Sequence, residues 1–140
     1  MKHRKRTIKL NRDASHRRAL FSNLLKSLID NERIETTVPK AKILRRYADR
    51  LVTLAKKNTL ASRRAAISKM MIRYNALTSK EARAAKKGDT TAYNTDRKVI
   101  GKLFNELRQR YADRQGGYTR IVRKESRKGD NASLCIIEYI

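Results

Sequence analysis

From Ala14 onward, apolar residues recur at helical spacing. Leu20, Leu24 and Leu28 lie four apart, with Phe21, Leu25 and Ile29 one step round. This predicts a helix from Ala14 to Asp30, with Asp13 or Ser15 as N-cap types and Asn31 as a stop. In RIETTV, residues 33–38, Ile34, Thr36 and Val38 alternate with polar partners, and β-branched residues dominate. That predicts a short strand. Pro39, the single proline, suits the first turn of a second helix. Leu44, Tyr47, Ala48, Leu51, Leu54 and Ala55 form its apolar stripe, opposite Lys42, Arg45, Arg46, Asp49 and Arg50.

After Asn58 and Thr59 a third helical stripe runs through Ala66, Ile67, Met70, Met71, Tyr74 and Leu77. Residues 78–96 are polar and poor in core residues, with a weakly anchored short helix expected from Ser79 to Lys87 and ended by Gly88. Thr95 or Asp96 then caps a helix whose core face is Val99, Ile100, Leu103, Phe104 and Leu107. Alternation in 118–124 and 132–139, with turn chemistry at Gly129, Asp130 and Asn131, predicts a β-hairpin. A lone hairpin is only marginally stable, so RIETTV is expected to complete the sheet. The fold class is therefore α+β, with amphipathic helices packed on a small three-stranded, mostly antiparallel sheet. Residues 1–12 lack periodicity and read as a basic extended arm, leaving 13–140 as one domain.

Charge changes the picture. With 36 Lys and Arg against 13 Asp and Glu, the formal net charge is +23. Such an excess opposes compaction by self-repulsion and calls for a polyanion. Nucleic acid is the first candidate, since phosphate neutralisation releases counterions. An anionic membrane surface is the second. Leu, Ile, Val and Phe make 30 of the 140 residues, which allows a small core with segments that order on a partner. Balanced Glu–Lys pairing would mark the basic helix faces as merely solvated, and that balance is missing.

The chemistry of catalysis is not visible. His3 and His16 have no cysteine cluster beside them, which argues against a metal site. Ser15 is more simply a cap residue than half of a dyad with His16, and the carboxylates are scattered singly among basic residues. Phosphate-cradling glycine motifs and paired CxxC motifs are absent. Neither an enzyme nor a cofactor or small-molecule substrate is expected. Cys135 lies in the four-residue apolar run Leu134–Ile137, which is too short to span a bilayer, and reads as a buried thiol in a reducing compartment. The start lacks a secretory apolar stretch, so the chain reads as cytoplasmic.

In GGYTR, Gly116 and Gly117 permit positive φ and a close approach of the backbone to a partner. Tyr118 there has two readings that are compatible with each other, a stacking platform beside a phosphate-binding Arg120 and a half-buried residue in a turn entering a strand.

The same residues carry a resemblance. HRK at 3–5, LNR at 10–12, SHRRAL at 15–20, TTVPKAKILRR at 36–46, LAK at 54–56, KLFNEL at 102–107, GGYTRI at 116–121 and GDNA at 129–132 occur in that order. Together they resemble the bacterial large-subunit ribosomal protein seventeen family, over most of the chain. The resemblance implies a non-enzymatic structural component of the large ribosomal subunit that binds its large RNA. It also implies neighbouring ribosomal proteins near the exit of the peptide tunnel, and an α+β domain with a basic N-terminal arm. The stretch from about 71 to 96 is longer than the family usually has, which marks it as a lineage-specific insertion, expected as a helical excursion with surface contacts.

The residues expected to meet RNA are therefore Lys2, His3, Arg4, Lys5, Arg6, Lys9 and Arg12 of the arm, and His16, Arg17 and Arg18 at the start of the first helix. To these are added Lys40, Lys42, Arg45 and Arg46 of the second helix, and Gly116, Gly117, Tyr118 and Arg120. The competing reading is a nucleoid-type protein that binds DNA without sequence preference.

Overall fold

The computed structural model describes residues 8–140. Residues 1–7, which include Lys2 to Arg6 of the expected arm, lie outside the described residues. The elements are α1 (Ala14–Asn31), β1 (Arg33–Thr37), α2 (Val38–Lys57), α3 (Leu60–Met70), α4 (Ser79–Lys86), α5 (Thr95–Lys102), α6 (Arg108–Arg110), β2 (Thr119–Arg123) and β3 (Leu134–Tyr139). A π-helical stretch, Leu103–Leu107, joins α5 to α6. The strands form one antiparallel sheet in the order β1-β3-β2. The expected α+β class and the three-stranded sheet are both present.

Asp13 starts α1 by accepting a hydrogen bond from the His16 backbone N–H at 2.8 Å. The buried face of α1 is Phe21, Ser22, Leu25, Leu28 and Ile29, within the predicted apolar face, whose Leu20 and Leu24 lie partly buried at its edge. Ser22 tolerates burial because its hydroxyl donates to the Met70 carbonyl, tying α1 to the end of α3. Asn31 is the last helical residue rather than the stop. The left-handed residue that ends α1 is Glu32, at φ 60°.

β1 is one residue shorter than predicted. Val38 opens α2, its N–H donating to the Ser133 carbonyl at 3.1 Å. Pro39 then falls in the first turn of α2, where no intrahelical N–H bond is required. Along α2 the residues Ala41, Leu44, Ala48, Leu51, Val52 and Ala55 are buried, all 0% exposed. Tyr47 was expected in this stripe but is 42% exposed, because the sheet and α1 cover the neighbouring side of the helix.

The third helix stops earlier than its apolar pattern suggests. Met71 is left-handed at φ 49°, and its N–H bonds back to the Ile67 and Ser68 carbonyls. The Asp96 carboxylate accepts the Arg73 N–H at 2.6 Å. Met71 and Tyr74 therefore leave the shared face and lie exposed, and Leu77 falls in the following loop. Within the 71–96 segment, α4 ends near Gly88 as predicted and buries none of its residues. The segment is held at its base instead. The Arg97 guanidinium lies 4.7 Å from the Tyr74 ring centre and 5.3 Å from that of Tyr93. It also donates to the Asn75 side chain and carbonyl at 3.1 and 2.9 Å. Asn94, not Thr95 or Asp96, caps α5 by accepting the Arg97 N–H at 3.0 Å. Asp96 is taken up by Lys26 of α1 at 2.9 Å.

Val99, Ile100, Leu103, Phe104 and Leu107 are all buried, as their spacing predicted. The Arg108 N–H reaches back five residues to the Leu103 carbonyl. That wider turn carries the apolar face forward to Tyr111, which is 2% exposed. Cys135 is buried and free, as expected.

Two features of this frame give direct expectations. Glu32 receives Arg110 at 2.7 Å and Lys102 at 2.9 Å, locking the end of α1 to the α5–α6 segment. These partners lower its carboxyl from 4.5 to about 2. The folded state thus binds this proton less readily than the unfolded chain. The stabilisation is fully present above pH 4.5 and is lost as pH falls towards about 2. Glu32→Gln is expected to cost about 0.2–1 kcal/mol at neutral pH, the range for solvent-screened pairs. It should also flatten the acid limb of a pH–stability curve followed by urea unfolding. Tyr139 has its hydroxyl buried without a hydrogen-bond partner among the described residues. Burial raises its ionisation well above the ordinary tyrosine range. Tyr139→Phe removes an unsatisfied group, so the thermal midpoint should hold or rise, by no more than about 1 kcal/mol of stability.

Candidate nucleic-acid interface

The helix caps aim the basic residues. Because Asp13 fixes where α1 begins, His16, Arg17 and Arg18 fall in its first two turns, which hold no acidic residue in the opening turn. The helix dipole is positive at this end, so cations here raise each other's cost unless an anion sits among them. The chain just before α1 is also held in place. Leu10 and Asn11 are left-handed, at φ 56° and 51°, and the Arg12 N–H closes a turn on the Lys9 carbonyl at 3.2 Å. This last part of the expected extended arm is therefore turned, with Leu10 packed on the core. Arg17 donates to the Arg12 carbonyl at 3.0 Å and to that of Lys9 at 3.5 Å. The Arg12 guanidinium lies against the His16 ring, with Nη1 3.3 Å from Nδ1.

Beside this junction α1, α2 and α3 form an open groove of about 720 Å³. Arg17 and Arg18 line it from α1, Arg46 and Arg50 from α2, and Lys69 from α3. Its apolar lining includes Ile8, Ile43 and the packed pair Phe21–Tyr47, with ring centres 5.6 Å apart. Among the described residues no carboxylate lines it. Of the expected contact residues, the groove gathers Arg17, Arg18 and Arg46. Lys9, Lys42 and Arg45 are exposed, and Arg12 and Lys40 partly so, but none of them lines it. Arg50, Lys69 and Tyr47 were not expected as site residues. The signal for two of them was present in α2, where 43, 46, 47 and 50 share a helical face. Lys69 could be added only by knowing that α3 packs alongside.

The GGYTR end is built differently. Gly116 and Gly117 do have positive φ, 104° and 60°, and Gly116 has open space where a Cβ would stand. Tyr118, however, is 3% exposed. Its ring packs 5.1 Å from that of Tyr111, and its hydroxyl donates to the Arg114 carbonyl at 3.1 Å. Of the two readings of Tyr118, the turn entering a strand holds, and the ring is too covered to stack on a base. Arg120 forks onto Glu138 at 2.6 and 3.0 Å, so its charge is already met. The same carboxylate also faces Arg33 at 3.6 Å, and Lys124 meets Glu35 at 2.7 Å. On the outer sheet face three cations thus share two carboxylates, while the groove cations meet none among the described residues. Within this part of the molecule, the groove is where several cations meet without a carboxylate among the described residues.

Among the described residues no group of three or more His, Cys, Asp or Glu is placed to hold a metal, and no helix is long and apolar enough to cross a membrane.

Comparison with known proteins agrees with this picture. The family model described as "Ribosomal protein L17" matches residues 20–140. A protein of Protochlamydia amoebophila (strain UWE25) named "Large ribosomal subunit protein bL17" is 69% identical over 140 residues, covering 100% of this chain and 99% of its own. The proteins of the same name from Chlamydia trachomatis serovar L2 and from Chlamydia pneumoniae are each 59% identical, with the same coverage.

Proposed function

The chain belongs to the ribosomal protein L17 family, and on that premise we propose that it is a structural constituent of the bacterial large ribosomal subunit that binds large-subunit ribosomal RNA. The observation that carries the reading is the lining of the groove. Five cations line it beside an aromatic pair and, among the described residues, without a carboxylate, while Arg33, Arg120 and Lys124 of the sheet face each meet Glu138 or Glu35. Cations gathered in this way neutralise phosphates and let RNA segments approach one another. RNA helices present phosphates and 2′-hydroxyls across a shallow minor groove, so recognition is mainly of shape. The domain serves as the fixed mount. Residues 1–12 provide the flanking basic contacts, Lys2, His3, Arg4, Lys5, Arg6, Lys9 and Arg12 among them. His16, Lys40, Lys42 and Arg45 extend the basic surface, and Gly116 and Gly117 offer a backbone approach at the other end.

The place of action is the cytoplasmic ribosome, beside other large-subunit proteins near the tunnel exit, and no catalytic role is assigned. The 71–96 segment is read as a lineage-specific insertion. A general DNA-binding role is the competing reading, and it lacks a specific observation in its favour. Sedimentation separates the two. The protein is expected to remain with large subunits after a high-salt wash. Release from subunits, together with equal affinity for any duplex DNA, would reject the ribosomal reading.

A further inference from the structure

The groove between α1, α2 and α3 contains more than charge. Tyr47 is a large aromatic ring left 42% exposed on α2, among the exposed arginines of that helix. Phe21, 7% exposed, packs against it and props it at the edge of the core. Around this ledge stand Arg46 and Arg50, one residue before and three after Tyr47, with Arg17 and Arg18 across the groove and Lys69 at its side. No salt bridge to a carboxylate is formed by any of these five among the described residues, although seven salt bridges form elsewhere. A duplex surface needs cations but offers no face for an aromatic ring. An unpaired nucleotide needs both, because its base stacks and its flanking phosphates carry charge. The volume, about 720 Å³, lies within the range of sites that take small organic groups.

We propose that this groove captures one unpaired nucleotide of the ribosomal RNA, its base stacked on Tyr47 and the successive phosphates of the strand on either side of it held by Arg17, Arg18, Arg46 and Arg50. The proposal rests on the RNA-binding reading above and gives it a specific anchor. A neighbouring protein segment would have to be strongly acidic to fit the same groove. A paired RNA helix would leave the tyrosine ledge unused. Shape recognition elsewhere on the domain sets the register, and the captured base fixes it to one RNA neighbourhood.

The test uses the full chain and purified large-subunit RNA, with affinity measured across a range of salt concentrations. Tyr47→Ala and Tyr47→Leu are each expected to weaken binding about tenfold at every salt concentration, because stacking releases no counterions. Tyr47→Phe keeps the ring and should bind within about twofold of the parent. The double variant Arg46→Gln/Arg50→Gln should instead lower the slope of log affinity against log salt by about 1.4. Tyr47→Leu retains apolar bulk against Phe21, and the helical signal of each variant confirms folding. If both ring-deleting variants bind like the parent while the arginine variant loses slope, the groove holds only RNA backbone and the nucleotide proposal is overturned. If none of the variants, the arginine pair included, alters affinity or slope, the groove does not meet RNA and the wider reading of this face fails with it.

Discussion

Replacing Arg17, Arg18, Arg46 and Arg50 together by glutamine is expected to weaken binding to large-subunit RNA by about a hundredfold near 0.1 M salt. Four phosphate contacts would be lost, so the salt slope should fall by about 3. The fold should survive. Arg18, Arg46 and Arg50 are exposed, and Arg17 donates only to two loop carbonyls. Removing like charges from a chain of net charge +23 even relieves self-repulsion. The control is Arg33→Gln/Arg120→Gln on the sheet face, where both guanidinium groups already meet Glu138. Its expected loss is much smaller, because those cations neutralise a carboxylate before any phosphate arrives. A salt titration of both variants separates the cases. An equal logarithmic loss per charge removed would mean that binding depends on total charge alone, not on the groove.

The largest effect on stability is expected from Leu44→Ala. Leu44 is 0% exposed on α2, the helix that contacts α1, α3 and all three strands. Truncating a fully buried leucine costs about 2–5 kcal/mol, through lost transfer energy and the cavity left behind. Domains of this kind have only about 5–15 kcal/mol in total, so the urea midpoint should fall steeply and part of the population should unfold at 37 °C. The protein without RNA is a demanding host for such a change, since its charges repel throughout. Adding ribosomal RNA should recover much of the lost stability by mass action. A loss under about 1 kcal/mol would show that α2 does not hold the centre of the core.

The elements were legible wherever a local period was strong. Val99 through Leu107, the buried Cys135 and the hairpin strands all follow from spacing and β-branched content. The errors came where a distant group decided the outcome. The apolar pattern after Met70 continues in sequence, but Asp96 takes the Arg73 N–H and the helix ends. Asn94 is a cap type no worse than Thr95 or Asp96, and it is singled out because Asp96 is taken by Lys26 and the Arg73 N–H. Tyr47 fits the helical stripe yet lies at its margin, where no element covers it.

The site divides in the same way. Basic content and its position at the start of α1 were visible, and so were Arg17, Arg18 and Arg46. Arg50 and Lys69 join them only once three helices pack together. Tyr118 and Arg120 looked equally suited to RNA, since residue type alone does not show a partner. Tyr118 is spent on the core beside Tyr111, and Arg120 on Glu138. Charge in a sequence locates candidates. The carboxylates that fold back onto some of them determine which remain free for phosphate.

Hydroxyl-radical footprinting of large-subunit ribosomal RNA with the full chain, in the presence of excess duplex DNA, bears most directly on the proposed role. Protection is expected in one RNA neighbourhood, unchanged by the DNA, and lost in the four-arginine variant. Scattered protection that the DNA competes away would contradict it, and would identify the protein as a general polyanion binder.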